Sequence, residues 1–180
     1  MTLPSPADVP PDPHRWSTGR VLVLAAVLAM AAMWGYVLYL AFGPGRQDPP
    51  DRLDHPTFAV DAQRICDAAH DDVDQLPAAV EAADANQRAD IVTEANERFG
   101  EMLGDLGAIT PPGEDGELVT EWLADWRIYL EDRAAYVEAL RTDPEAQLLV
   151  TAKDREQITE FMDAFAQDNR MIACATPIDV

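Results

Sequence analysis

From Val21 to Phe42 the chain reads VLVLAAVLAMAAMWGYVLYLAF, 22 residues without a charge. At about 1.5 Å of rise per residue, a helix of that length crosses the roughly 30 Å hydrocarbon core of a bilayer. The run is therefore expected to be a transmembrane helix. Arg20 abuts its start, Gly43-Pro44-Gly45 ends it, and Trp16, Trp34, Tyr36 and Tyr39 fall near the two interfaces, where amphipathic rings are favoured. A cleaved signal peptide shares this plan of a basic flank followed by an apolar run. The run is longer than a usual signal core, and the small residues Ala41 and Gly43 are followed by Pro44, which favours an uncleaved signal-anchor.

Charge is divided by this segment. Residues 1–20 carry two Arg against two Asp, so the formal net charge of −20 lies wholly after residue 20. Positive-inside counting is balanced, because Arg15 and Arg20 face Arg46 and Arg52 across the span and acidic residues weigh little in that rule. The two cysteines, Cys66 and Cys174, break the tie. Persistent disulfides belong to oxidising compartments, so a bridge between them places the C-terminal domain outside the cell membrane and the N-terminus in the cytoplasm. The acidity of that domain argues against nucleic acid and anionic lipid surfaces as its partners, since both would repel it.

Residues 1–20 are rich in Pro and lack apolar periodicity, which predicts a disordered cytoplasmic tail. Residues 43–56, with four Pro and two Gly, read as an extended linker. The remainder, 57–180, is expected to form an acidic, all-α extracytoplasmic domain. Four apolar stripes with helical spacing predict helices over 58–76, 85–106, 117–140 and 153–170. Thr57 is the expected N-cap of the first, and Asp84 with Gln87 makes a capping-box signature for the second, which Gly107 is expected to stop. Leu148 to Thr151 reads equally as a short helix, a turn or an extended piece. The simplest packing of four such helices joined by short links is an up-and-down bundle.

In that packing the chain beyond Arg170 returns along the first helix, with Cys66 about 12 Å into it, and brings Cys174 within reach. Clamping a loop of about 109 residues is worth roughly 4 to 5 kcal/mol of loop-closure entropy. Two buried free thiols are the alternative.

Two constellations carry possible chemistry. Asp67, His70, Asp71 and Asp74 share one helical strip, a weak candidate for surface coordination of a hard cation. They flank the apolar stripe, and no second helix offers a matching carboxylate-x-x-His pair, so a solvated face is expected and no metal or other cofactor is assigned. Trp122, Trp126, Tyr129, Arg133 and Tyr136 form an aromatic stripe with an Arg set into it. It is either packed core or a groove for a ligand or partner, with Arg133 snorkelling, stacking on the rings, or pairing with a carboxylate. The domain has no Ser and no phosphate-binding Gly-rich loop, which excludes serine nucleophile chemistry there.

The pattern running from Cys66 through Trp126, Tyr129, Arg133 and Tyr136 to Asn169-x-Met171-x-x-Cys174-x-x-Pro177 resembles that of actinobacterial single-pass membrane or secreted proteins with a small helical, two-cysteine domain. One Lys against twelve Arg fits a high-GC source. The resemblance implies the anchor, the helical domain and the paired cysteines, and no activity. The function expected is a non-enzymatic interaction or scaffold module of the cell envelope, bound to the bilayer through its anchor and to an envelope protein through its outer domain. An extracytoplasmic sensor or carrier of a small ligand or metal is the alternative.

Overall fold

The computed structural model describes residues 18–43 and 49–179. The expected tail before Thr18, with Trp16, and linker residues 44–48 lie outside the described residues. The chain divides between Asp48 and Pro49 into two units.

Helix α1, Thr18–Phe42, belongs to the first unit and is one unbroken helix of 25 residues, none of them buried. Among the described residues it is the one helix long and apolar enough to cross a membrane, with a mean hydropathy of 2.3. A helix apolar on every side has no polar face to offer water. By length and composition it fits a membrane anchor or a signal sequence.

The second unit is mostly helical. It comprises α2 (Pro56–Val73), α3 (Ala85–Ala108), α4 (Glu114–Leu140) and α5 (Ile158–Asp168), with 3-10 turns at Ala79–Glu81 and Ile172–Cys174 and a hairpin of β1 (Ala152–Lys153) and β2 (Glu156–Gln157). α3 packs on α4 and on α2, α5 packs on α4, and the Ile172–Cys174 turn lies against both α2 and α5. The inward faces follow the apolar periodicity: Phe58, Ala62, Cys66, Ala69 and Val73 on α2, and Val92, Ala95, Phe99, Met102, Leu103 and Leu106 on α3, are all buried. Burying the larger of these side chains, the Phe, Leu, Met and Val, contributes about 1.5 to 3 kcal/mol each.

Helix ends depart from the expected ones where distant residues intervene. α2 begins at Pro56, whose fixed φ suits a first helical position, and His55, not Thr57, is its N-cap. The His55 side chain makes no cap bond. At α3 the local signal holds: Gln87 N donates to Asp84 Oδ1 at 2.9 Å, and the Gln87 amide oxygen accepts from the Ala83 N–H at 2.6 Å. Gly107 does not stop this helix, which runs on to Ala108 and gives way at Thr110-Pro111-Pro112. α4 starts three residues before the expected Glu117, because Gly113 takes a φ of 81° and ψ of −155° that a side chain would forbid. A Cβ on Gly116 would collide with the carbonyl oxygen of Pro111, so the bend into α4 needs glycine there too.

The last helix is the largest correction. It spans 11 residues, Ile158–Asp168, where one starting near Lys153 is expected. The preceding residues instead form the hairpin, turning through Asp154 and Arg155 at φ 51° and 78°. Asp132 of α4 holds Thr151 through its backbone N–H and its hydroxyl, at 2.6 and 2.9 Å, and so keeps this stretch extended. α5 ends in a complete Schellman motif: Arg170 adopts φ 61°, its N–H bonds to Gln167 O, and the Met171 N–H reaches back to Ala166 O. That reversal sends the chain back toward α2.

Cys66 and Cys174 are joined by a disulfide, with sulfurs 2.01 Å and Cα atoms 5.1 Å apart. Among the described residues no cysteine is free.

Candidate functional site

The aromatic stripe on α4 has the spacing of a helix face and is turned inward. Trp122, Trp126, Tyr129, Arg133 and Tyr136 are all buried, with Trp122 on the wall of a cleft of about 210 Å³. Trp122 stacks on Phe165 with centroids 5.3 Å apart and meets Trp126 edge-on at 6.4 Å; Trp126 meets Tyr129 edge-on at 5.9 Å. Such pairs add about 0.5 to 1.5 kcal/mol beyond their area. The Trp122 indole N–H donates to Met162 O at 3.2 Å, whereas the Trp126 N–H is buried without a partner. Tyr136 belongs to a separate small cluster with Ala79, Ala89, Val92, Val137 and Leu140.

Arg133 does not snorkel. It is 0 % exposed, and its guanidinium is held by a fork to the carboxylate of Asp179, Nη1 to Oδ1 at 2.7 Å and Nη2 to Oδ2 at 2.6 Å. Its Nε donates to Asn96 Oδ1 at 2.5 Å, and Nη1 lies 3.5 Å from the Tyr129 hydroxyl. The charged plane sits 5.5 Å from the centroid of Phe99 and 5.7 Å from that of Tyr129, within cation–π range. Burial works against the charge, but the hydrogen bonds and charge of Asp179 outweigh it and raise the Arg133 pKa. Burial also pushes the Tyr129 phenol up, partly opposed by the neighbouring guanidinium. The arrangement is that of a carboxylate receptor already filled by a carboxylate of the same chain.

The Asp67 strip is split by the fold. Asp67, His70 and Asp74 border a cleft of about 340 Å³ between α2 and residues 172–179, while Asp71 is not part of its lining. His70 is half-buried and turns its ring edge-on to Phe99 at 5.4 Å, so packing explains it. Among the described residues no group of three His, Cys, Asp or Glu is placed to hold a metal ion.

Three polar centres escape a reading of the sequence. Lys153 reaches Asp125 at 2.8 Å and Glu121 at 3.1 Å across the Phe161 ring. Asn169 accepts from Leu53 N at 2.8 Å and donates to Asp51 O at 3.0 Å. Asp115, in the first turn of α4, accepts from the backbone N–H groups of Asp54 and His55 and from His55 Nδ1, each at 3.0 Å. The last two together clasp residues 51–55, the stretch entering α2. An Asn at a helix end and an Asp in a first turn are too common to single out, and their partners lie 60 to 118 residues away.

Burial by itself would raise the Asp115 pKa; the bonds from Asp54 and His55 outweigh it and set the group below the ordinary 3.8. A carboxylate depressed in the folded state contributes stability above its unfolded pKa and loses it as pH falls through the folded value. Asp115→Asn is accordingly expected to lower stability by about 1 kcal/mol at neutral pH, as loss of a cap does, and to flatten the decline below about pH 4. Unfolding curves of the two proteins from pH 2 to 7 measure both effects.

No known protein family, curated protein or solved structure matches this chain.

Proposed function

We propose that the chain is a membrane-tethered, non-enzymatic interaction module of the cell envelope, with its N-terminus in the cytoplasm and α2 to α5 outside as an up-and-down bundle. One observation carries the reading. The cleft beside α2 exposes Ile172 and Ile178 beside the carboxylates of Asp67 and Asp74. Exposed apolar residues rimmed by a single sign of charge suit a partner segment that carries apolar side chains flanked by Lys or Arg. The tether supplies the rest, by raising the local concentration of the domain beside other envelope proteins. The disulfide supports the oxidising compartment that this topology requires.

In intact native cells, a photocrosslinking side chain in place of Ile172 should give one discrete adduct, which Asp67→Lys with Asp74→Lys abolishes without unfolding the domain. Protease added outside the permeabilised outer envelope should remove the domain. Adducts formed equally well from Leu149, which is exposed outside the cleft, or a domain that survives until the cells are lysed, would overturn this function. A second reading, a sensor or carrier of a small ligand, draws its support from the receptor geometry around Arg133.

A further inference from the structure

We propose that Arg133, Asn96 and Tyr129 form a binding site for small monocarboxylates with an apolar body, and that Asp179 is its resident, exchangeable occupant. The inference rests on the sensor reading; it shares Ile178 and Asp179 with the cleft proposed for a partner segment, and the Ile172 adduct distinguishes the two.

The receptor and its occupant differ in how they are held. Asn96 and Phe99 stand on α3, Tyr129 and Arg133 on α4, and these are the two longest helices of the domain, packed directly on each other. Asp179 sits on residues 175–179, which form no helix or strand. The covalent anchor of that segment ends at Cys174. Among the described residues it is also fastened at Thr176, whose N–H and hydroxyl donate to Asp163 at 2.7 and 3.1 Å. Ile178, next to Asp179, is wholly exposed. Residues 177–179 can therefore swing out without breaking the disulfide or any helix.

What they uncover has room for a ligand. Ile178 and Asp179 are shared walls of two cavities, the 340 Å³ cleft beside α2 and a second of about 220 Å³ lined by Val73, Leu76, Ala79, Ile91 and Ala95. Movement of residues 178–179 would join these spaces at a size usual for small-molecule sites, and Asp179, a wall of both, is the residue that bonds the guanidinium. The ligand class follows from the walls. The planar fork of Arg133 matches a carboxylate in two parallel bonds. The second cavity is mostly apolar, which favours an aliphatic or aromatic body. Asp74 borders both cavities and disfavours a second negative charge, so dicarboxylates and phosphates fit poorly.

Exchange is required because a bare Arg133 would leave a charge buried without its counter-charge, a costly state. Asp179 thus leaves only as another carboxylate arrives. A tethered competitor acts at an effective concentration of about millimolar, which sets the free acid level at which the segment is released. The segment is then a reporter of acid concentration at the surface of the domain.

The test uses the full chain in detergent with its disulfide intact. Butyrate and benzoate are titrated at constant ionic strength, and the Ile178 methyl and Asp179 amide signals are followed by NMR, with Ile65 as the fixed reference. Both signals should move saturably to positions typical of unstructured chain while Ile65 stays in place. Arg133→Met should abolish the response. Removing the competitor by Asp179→Ala should tighten butyrate binding by about tenfold or more, read from shifts at Asn96 and Tyr129. Asp179→Asn serves the same purpose if the alanine variant does not fold. Ile178 and Asp179 signals that never move in the wild type, or a response to chloride and phosphate equal to that to butyrate, would overturn the site. Persistence of the Ile172 adduct would show that this failure leaves the partner reading intact.

Discussion

Replacing Cys66 with serine lowers the stability of the C-terminal unit by about 2 to 5 kcal/mol. The bridge joins residues 108 apart in sequence, and closing a loop of that length removes much of the freedom of the unfolded chain. Both cysteines are fully buried, so serine would also leave a hydroxyl in apolar surroundings. Cys174→Ser should be close to Cys66→Ser, and the loss in the double variant should fall well short of their sum, because all three remove the same link. Denaturant unfolding of the oxidised chain and the three variants, followed by the fluorescence of Trp122 and Trp126, measures this. Losses that add in the double variant would show that the two side chains act separately.

The second large effect is an asymmetry. Asp179→Ala is expected to cost about 3 to 5 kcal/mol, whereas Arg133→Met costs distinctly less, because the two halves of the pair sit in different surroundings. The Arg133 side chain is 0 % exposed and that of Asp179 21 %. Without Asp179 the guanidinium keeps its charge among Phe99, Tyr129 and the neighbouring core, with Asn96 and Tyr129 as its remaining partners among the described residues. Without Arg133 the carboxylate can turn to water, and a methionine stem fills much of the vacated volume. Calorimetry on both variants in a buffer free of carboxylic acids distinguishes them. Equal losses would mean that Asp179 is as firmly desolvated as its partner.

The domain shows where sequence reading succeeds and where it stops. The inward faces of α2, α3 and α4 are legible because apolar residues three and four apart must share a side of any helix they join. The Asp84 to Gln87 cap is legible because both partners lie within one turn. Phe161, Met162 and Phe165 likewise announce α5, yet its start is misplaced, since nothing within 153–157 records that Asp132 will seize Thr151. Thr57 has the right chemistry for an N-cap and loses to His55 because Asp115, from another helix, takes the neighbouring N–H groups.

Arg133 marks the same boundary for the candidate site. Its place in an aromatic stripe makes it conspicuous in the sequence, and the options of snorkelling, stacking or pairing with a carboxylate all suit an Arg there. Choosing among them depends on whether a counter-charge reaches the interior, and that charge comes from Asp179, 46 positions away. Residues near in sequence interact through backbone periodicity and capping, whose rules are set by covalent geometry. The helical character, the apolar α1 and the acidity confined beyond residue 20 all follow from such local rules and from composition. Which cysteine meets which, what clasps residues 51–55, and whether a buried guanidinium is paired depend on the folded path of the chain: desolvation makes a polar group costly until the packed structure delivers its partner.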